Sequence, residues 1–165
     1  MKKILHFIQT YGFWILLTLG ITVYAYIHWP HKIEMDEITI YQSDQNTLTT
    51  LHFPKDSTTI VHFYAHWCGP CMKELPELIA RKKELNAQGC RLICITDDEP
   101  TVQQQFEKKF GIQIFRTPSL KSLNVFSIPM TYFYDANGAM TSRQDGMCVW
   151  NEQWIKEKLK EMNHE

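Results

Sequence analysis

The 165-residue sequence has no excess of charge of either sign, since 17 basic and 18 acidic residues leave a net charge of -1. Nucleic-acid binding needs a strongly basic surface, so we do not expect this class of partner. The chain also lacks internal repeats and low-complexity tracts. Apolar residues make up 44% and charged residues 21%, which is typical of a globular protein. The length predicts one domain with a short appendage.

Asp, Glu, Lys and Arg are missing from positions 4–27, which directly follow Lys2 and Lys3. About 24 residues of helix span roughly 36 Å, enough for the hydrocarbon core of a bilayer. The run therefore predicts one transmembrane helix with both lysines on the cytoplasmic side. The aromatic residues expected at the opposite headgroup level are Tyr24, Tyr26 and Trp29.

A cleaved signal peptide is the alternative interpretation of this segment, because Val23-Tyr24-Ala25 offers small residues to a signal peptidase. Either interpretation exports the rest of the chain. Cysteine is absent before position 68, so we expect no lipid-modified N-terminal cysteine and anchoring by the helix itself. We predict an anchor over residues 1–29, a linker over 30–36 and the main domain over 37–165.

Strand and helix patterns alternate along the main domain. Residues 38–41 and 48–53 predict a hairpin around the turn formers 43–46, and residues 58–65 predict a buried strand. Apolar spacing then predicts a helix over 71–88 that ends before Gly89. A strand over 90–96 and a helix over 101–110 complete a βαβα unit.

The C-terminal part predicts a second hairpin, with strands over 130–134 and 139–143 around the turn 135–138. Asn151 is the expected N-cap of a last helix over 152–162. The order βαβα followed by ββα predicts an α/β fold with a mixed sheet covered on both faces.

Five cysteines is an odd number, so a framework of structural disulfides would leave one thiol over. Two of them stand in Trp67-Cys68-Gly69-Pro70-Cys71, at the junction of a predicted strand and helix. A helix N-terminus favours a thiolate, so Cys68 is the predicted nucleophile and Cys71, one turn later, the resolving thiol. Pro70 suits the first helical turn, and Gly69 leaves the sulfur approachable.

The segment Phe63-Tyr64-Ala65-His66-Trp67-Cys68-Gly69-Pro70-Cys71 resembles the active-site segment of the thioredoxin superfamily. Glu74 and Pro76 complete a pattern similar to the membrane-anchored TlpA/ResA-like branch. The resemblance implies a thioredoxin-like fold, in which helices flank a central mixed sheet and the first hairpin is an N-terminal extension. It also implies a single-pass protein of the bacterial cytoplasmic (inner) membrane with the domain on the periplasmic side.

Ile128-Pro129 is similar to the cis-proline loop of the superfamily, which lies against the CxxC pair and offers its backbone to substrate. The resemblance thus implies a cis bond and substrate-binding roles for both residues, and likewise for Trp67, Gly69 and Pro70. Two departures stand out. His62 occupies the place of the buried aspartate of cytoplasmic thioredoxins, and the chain between residues 110 and 129 is shorter than usual in the TlpA/ResA branch.

Several side chains near the motif admit a functional and an ordinary interpretation. Glu74, one turn after Cys71, either exchanges a proton with the buried thiol or is a surface or capping charge. His62 is either a proton relay or a core histidine with a satisfied hydrogen bond. Trp67 either shapes a docking surface or packs beside the motif, and His66 is expected to be a solvated neighbour.

The cysteines admit alternatives as well. Cys68 and Cys71 could form a structural disulfide or half a zinc site together with Cys90 and Cys94. Residues four apart on a strand are about 13 Å apart, so the last two cannot share one ion and are predicted to be buried, inert thiols. Cys148 is either a third redox thiol or an ordinary loop cysteine. No metal site is expected, copper included.

Three functions follow from these residues. The first is an extracytoplasmic dithiol reductase of protein disulfides, without a cofactor beyond the redox-active disulfide and recharged by a membrane electron donor. The resemblance implies reduction of haem-attachment cysteines in cytochrome c maturation as one use. The second is a disulfide oxidase or isomerase of exported proteins, with a membrane electron acceptor. The third is a non-catalytic, redox-responsive binding module. A monomer is expected in each case.

Overall fold

The structure, a computed structural model, describes residue 12 and residues 14–24, 37–42, 46–53 and 55–163. The chain divides into two units, Met1–Ile33 and Glu34–Glu165. In the first unit, residues 14–24 are helical. Within the described part of the chain, no helix has the length and apolar character needed to cross a bilayer. The predicted span over 4–27 extends outside the described residues, as does the linker over 30–36, so the anchor stays a prediction.

The second unit is built on a mixed five-stranded sheet. Strand β3 (Thr58–Phe63) lies at its centre and is buried over its whole length. It pairs in parallel with β4 (Cys90–Thr96) and antiparallel with β6 (Met130–Tyr134). The edge strands are β5 (Ile114–Arg116) and β7 (Met140–Asp145). The order across the sheet is β5-β4-β3-β6-β7. The predicted mixed sheet is therefore confirmed.

Four helices supply apolar side chains to two core clusters on the sheet. Leu78, Leu85 and Ile155 pack in one cluster with Ile60 and Phe133 of the central strands. The second cluster lies under the CxxC motif and contains both of its cysteines. The helices are α1 (Gly69–Ala80), α2 (Lys82–Ala87), α3 (Pro100–Phe110) and α4 (Glu152–Asn163).

A third core cluster joins the sheet to an N-terminal hairpin and a short 3-10 helix, Leu120–Leu123. The hairpin pairs β1 (Glu37–Tyr41) antiparallel with β2 (Leu48–His52), as predicted, although turn residues 43–45 lie outside the described part of the chain. It contributes Ile38 and Ile40 to this cluster. The hydroxyl of Thr117 also donates to the carbonyl oxygen of Thr39 at 2.9 Å. Both faces of the sheet are thus covered, one by helices and the other by hairpin and 3-10 helix.

The largest differences between predicted and observed elements are a divided helix and two short elements. The helix expected over 71–88 begins earlier, at Gly69, and divides into α1 and α2 at Arg81. There the backbone N–H donates to the carbonyl oxygen of Leu78 in a tighter turn, and the Arg81 side chain donates to Trp150. Strand β5 and the 3-10 helix were not predicted, because segments of three and four residues are too short to show a period.

The predicted glycine helix ends and the predicted N-cap are confirmed. Gly89 and Gly111 have φ values of 73° and 64°, in the left-handed region that favours glycine at the end of a helix. Asn151 caps helix α4, since its side-chain oxygen accepts the backbone N–H of Trp154 at 2.8 Å.

Candidate active site

The two motif cysteines form a disulfide at the start of helix α1. The chain leaves the buried strand β3 and turns through residues 65–68, where the N–H of Cys68 donates to the carbonyl oxygen of Ala65 at 3.0 Å. Cys68 is the N-cap residue, and its Sγ accepts the backbone N–H of Cys71 at 3.2 Å. Such an N–H, together with the helix dipole, stabilises a thiolate at this sulfur when the pair is reduced.

The two sulfurs differ in their access to solvent. Cys71 is completely buried, and Cys68 retains 5% of its surface beside Trp67, which is 68% exposed. Gly69 and Pro70, between the cysteines, are exposed. A partner can therefore approach Cys68 and not Cys71, which is the asymmetry that a nucleophile and a resolving thiol require. The exposed Trp67 does not pack into the core, so the docking interpretation of this residue fits the geometry.

The cis-proline loop lies directly against the nucleophile. The Ile128–Pro129 peptide bond is cis, as the resemblance implied. The carbonyl oxygen of Ile128 lies 3.6 Å from Sγ of Cys68, within hydrogen-bonding range of a reduced thiol. The carbonyl oxygen of Pro129 accepts the N–H of Gly146 at 2.9 Å, which brings the segment after β7 to the same place.

Glu74 lies one turn after Cys71 and is completely buried, so it is not a surface charge. Its Oε1 accepts the backbone N–H of Cys148 at 2.9 Å and the indole N–H of Trp150 at 2.7 Å. Its Oε2 has no hydrogen-bond partner among the described residues. Burial raises the pKa of the Glu74 carboxyl, and the two donated hydrogen bonds oppose that shift only in part. A buried carboxyl near a buried thiol can hold a proton for it.

His62 is also completely buried, on the central strand. Its Nδ1 lies 3.0 Å from the hydroxyl oxygen of Thr131, and the hydroxyl in turn lies 3.6 Å from Sγ of Cys148. Burial lowers the pKa of His62 to about 3, so the ring is neutral. The geometry supports a core histidine with one satisfied nitrogen, although Nε2 finds no partner in the described part of the chain.

His66 is exposed, as expected of a solvated neighbour, but it also binds a buried carboxylate, which was not predicted. Its backbone N–H donates to Oδ2 of Asp98 at 2.9 Å, and its Nδ1 lies 2.7 Å from Oδ1 of the same carboxylate. Asp98 follows β4, whose carboxyl end lies beside that of β3 because the two strands are parallel. The acidic run Asp97-Asp98-Glu99 after the strand parallel to the motif strand is the sequence signal that points to such a contact.

The remaining three cysteines are free and buried, as predicted for Cys90 and Cys94. Burial raises the pKa of Cys90 to about 11 and that of both Cys94 and Cys148 to about 12. Thiols of this kind are poor nucleophiles, which favours the ordinary interpretation of Cys148. Over the described ranges, no group of three or more His, Cys, Asp or Glu side chains is arranged to hold a metal ion.

Comparison with known structures places this architecture in a class. A thiol:disulfide interchange protein of the thioredoxin family from Chlorobium tepidum superposes with a TM-score of 0.60 at 20% identity. The alignment covers 77% of this chain and 93% of that one. At this identity the likeness shows the fold alone, so the chain is a protein of thioredoxin-like α/β fold.

The family follows from the sequence match. The chain belongs to the AhpC/TSA family, whose model matches residues 33–150. It is 24% identical over 113 residues to the thiol-disulfide oxidoreductase ResA of Bacillus cereus, which covers 65% of this chain and 62% of that protein. It is also 29% identical over 101 residues to human protein disulfide-isomerase A6, covering 61% of this chain and 21% of that protein. The resemblance to the thioredoxin superfamily and its TlpA/ResA-like branch is confirmed, although the chain spans less than two thirds of these relatives.

Proposed function

We propose that this chain is a thiol-disulfide oxidoreductase that reduces disulfides in exported proteins. The observation that carries the proposal is the position of Cys68, whose sulfur lies at a helix N-terminus against the cis-proline loop and within bonding distance of Cys71. The disulfide is the redox group, and the reaction needs no further cofactor.

The reaction transfers two electrons and two protons from the reduced cysteine pair to the partner's disulfide. The thiolate of Cys68 attacks the partner's disulfide, a mixed disulfide forms, and one partner sulfur leaves as a thiolate that takes up a proton. The thiol of Cys71 then loses its proton and attacks Sγ of Cys68, which releases the second partner sulfur. The pair ends as the Cys68–Cys71 disulfide, and an external dithiol donor must reduce it again.

Location and substrate extend this proposal. The charge-free run over residues 4–27 supports an anchor in the bacterial inner membrane, with the domain on the periplasmic side and a membrane electron donor close by. Similarity to the TlpA/ResA-like branch supports cytochrome c maturation as the process, with haem-attachment cysteines as the substrate.

Reduction of insulin by a dithiol, followed as turbidity, tests the activity. We expect the wild-type chain to accelerate the reaction and Cys68→Ser to reduce the rate to that of the uncatalysed control, because the attacking sulfur is lost. Cys90→Ser, which removes a buried free thiol, is the matched control and should retain most of the activity. Equal rates for the wild type and Cys68→Ser would show a binding module instead of an enzyme.

An oxidase or isomerase is the second candidate, and similarity to human protein disulfide-isomerase A6 is the observation that favours it. The reduction potential separates the candidates. A reductase should have a potential near that of thioredoxin, about -270 mV, and an isomerase one near about -180 mV. Alkylation trapping in intact cells gives a second test, since a reductase keeps Cys68 and Cys71 mostly as thiols and an oxidase keeps them mostly as a disulfide.

A further inference from the structure

Three segments that contain or lie near the accessible cysteine, Cys68, have no titratable side chain apart from the cysteines. Residues 67–72, 124–130 and 146–151 contain no Asp, Glu, Lys, Arg or His. The first segment includes Cys68, the second approaches it through Ile128, and the third joins the second at Pro129. Thiol-disulfide exchange nevertheless moves a proton away from the attacking sulfur and towards the leaving sulfur. A side chain that carries this proton on the solvent side would therefore belong to a residue outside these segments.

His66 is the titratable residue nearest in sequence to Cys68. It lies in the turn that the Cys68 N–H closes onto Ala65, and two residues of backbone extend at most about 7 Å. Its side chain is 48% exposed, whereas the Asp98 side chain that binds it is 2% exposed. The ring is thus open to solvent on one side and held by a buried carboxylate on the other.

The hydrogen bonds of Asp98 determine which nitrogen of His66 is available. Oδ2 accepts the backbone N–H of His66 and Oδ1 lies 2.7 Å from Nδ1, so this carboxylate fixes both the turn and the ring. Since Nδ1–H donates to Oδ1, Nε2 is the nitrogen that can take up and release a proton. The same division of roles operates in catalytic triads, where a carboxylate orients a histidine beside a nucleophile.

Other titratable groups near this pair are differently engaged. Asp97 accepts the N–H of Leu120 at 3.1 Å through its Oδ2. The Tyr64 hydroxyl is buried, and burial together with the negative charges of Asp98 and Glu107 raises the pKa of Tyr64. Glu99 is exposed and makes no side-chain capping bond to α3. Asp98 is the carboxylate that contacts the imidazole.

We propose that His66, oriented by Asp98, is the proton acceptor and donor for the first half of the exchange. The inference rests on the proposed function. As Cys68 attacks, its thiol proton moves to Nε2 of His66, directly or through one water molecule. The new bond joins Sγ of Cys68 to a partner sulfur, the partner's S–S bond breaks, and its electron pair leaves with the other sulfur. The imidazolium returns the proton to that sulfur, and His66 ends neutral.

The experiment isolates this half-reaction in the full chain carrying Cys71→Ser, which stops at the mixed disulfide. The probe is hydroxyethyl disulfide, and the rate of mixed-disulfide formation is followed against pH by mass spectrometry. We expect His66→Ala to reduce the rate on the order of tenfold at about pH 7, a small effect for acid–base catalysis because thiols partly ionise unaided. Added imidazole should restore most of the loss. Asp98→Asn should reduce the rate by a smaller factor, about threefold.

His52 provides the matched control, since it also lies near a carboxylate, with Nδ1 3.6 Å from Oε1 of Glu37, but on the hairpin. His52→Ala should leave the rate and its pH dependence unchanged. His66→Gln, which can keep a hydrogen bond to Asp98, replaces the alanine variant if thermal unfolding shows a loss of fold. An unchanged rate in the His66 variants, or a loss that imidazole does not restore, overturns the inference. A parent protein that forms no mixed disulfide overturns the proposed function instead.

Discussion

The two sides of the disulfide differ although its cysteines lie one turn apart on one helix. On the solvent side, Cys68 is bordered by the exposed Trp67 and by His66 bound to a carboxylate. On the buried side, Cys71 lies on the helical face that continues to Glu74, which binds Cys148 and Trp150 through a single oxygen. The difference shows how one helix N-terminus can serve two functions. It presents one sulfur to a partner and keeps the other buried.

Electrostatics separate the two sides further. Burial raises the pKa of Glu74 and lowers the pKa of His62 to about 3, and both shifts favour the uncharged form. On the buried side, proton uptake and release by Glu74 and His62 are therefore linked to the stability of the fold. The predictions below test this contrast, beginning with the largest expected effect.

Among the changes predicted here, replacing Glu74 should affect the stability of the buried side most. Glu74→Ala leaves the N–H of Cys148 and the indole N–H of Trp150 without their acceptor. We expect a loss of about 2–4 kcal/mol in the free energy of unfolding, since each unpaired buried donor costs about 1–3 kcal/mol. Urea denaturation measures this. Glu77→Ala, at an exposed position of the same helix, is the control and should change stability by less than about 0.5 kcal/mol.

Glu74→Gln tests whether the carboxyl is held neutral. Because folding raises the pKa of Glu74, its neutral form stabilises the fold below the ordinary value of 4.5, and this contribution is lost as pH rises through the folded pKa. The glutamine variant keeps an oxygen acceptor but cannot ionise. The free energy of unfolding of Glu74→Gln should therefore increase relative to that of the wild type as pH rises above 4.5. Parallel pH profiles would contradict a raised pKa.

His62 should give a pH dependence of opposite sign. Folding lowers the pKa of His62 from 6.5 to about 3. The stabilising contribution of the neutral ring is therefore present above pH 6.5 and is lost as pH falls towards 3. We expect the wild type to lose about 2 kcal/mol of stability by about pH 5, at up to about 1.4 kcal/mol per pH unit. His62→Asn should remove this decline while retaining a partner for Thr131. His52→Asn, an exposed-site control, should show the same decline in stability with falling pH as the wild type. If the decline persists in His62→Asn, groups other than His62 cause it.

The motif and its secondary structure could be predicted because they depend on local sequence. A CxxC pair between an apolar strand and an amphipathic helix predicts the helix N-terminus that activates Cys68. The partners of the polar side chains could not be predicted in this way. Glu74 accepts hydrogen bonds from Cys148 and Trp150, which lie 74 and 76 positions later in the chain. His66 contacts Asp98, which lies 32 positions later. Such pairs depend on how the helices and strands pack against one another, and the hydrophobic periodicity of the sequence does not predict that packing.

The shortest elements escaped prediction for a related reason. Strand β5 has three residues and the 3-10 helix four, so neither contains a full repeat of the hydrophobic pattern. They occupy the stretch between α3 and the cis-proline loop. Leu120 and Val125 from this stretch complete the core cluster opposite the helices. The sheet is therefore covered here by a few apolar residues of an irregular segment.

The smallest expected effect concerns the solvent side, where Trp67 is 68% and Phe126 74% exposed. Trp67 precedes Cys68 in the chain and Phe126 lies two residues before Ile128, which contacts the sulfur. Exposed apolar side chains at these positions suit a docking surface for protein substrates. Replacing either with Ser should lower kcat/KM for insulin about three- to fivefold relative to hydroxyethyl disulfide, which is too small to cover the surface. Leu48→Ser, which alters a 49% exposed leucine on the hairpin, should leave that ratio unchanged. If Trp67→Ser and Phe126→Ser slow both disulfides equally, these side chains act on the thiol and not on docking, and the contrast between the two sides of the disulfide would need another basis.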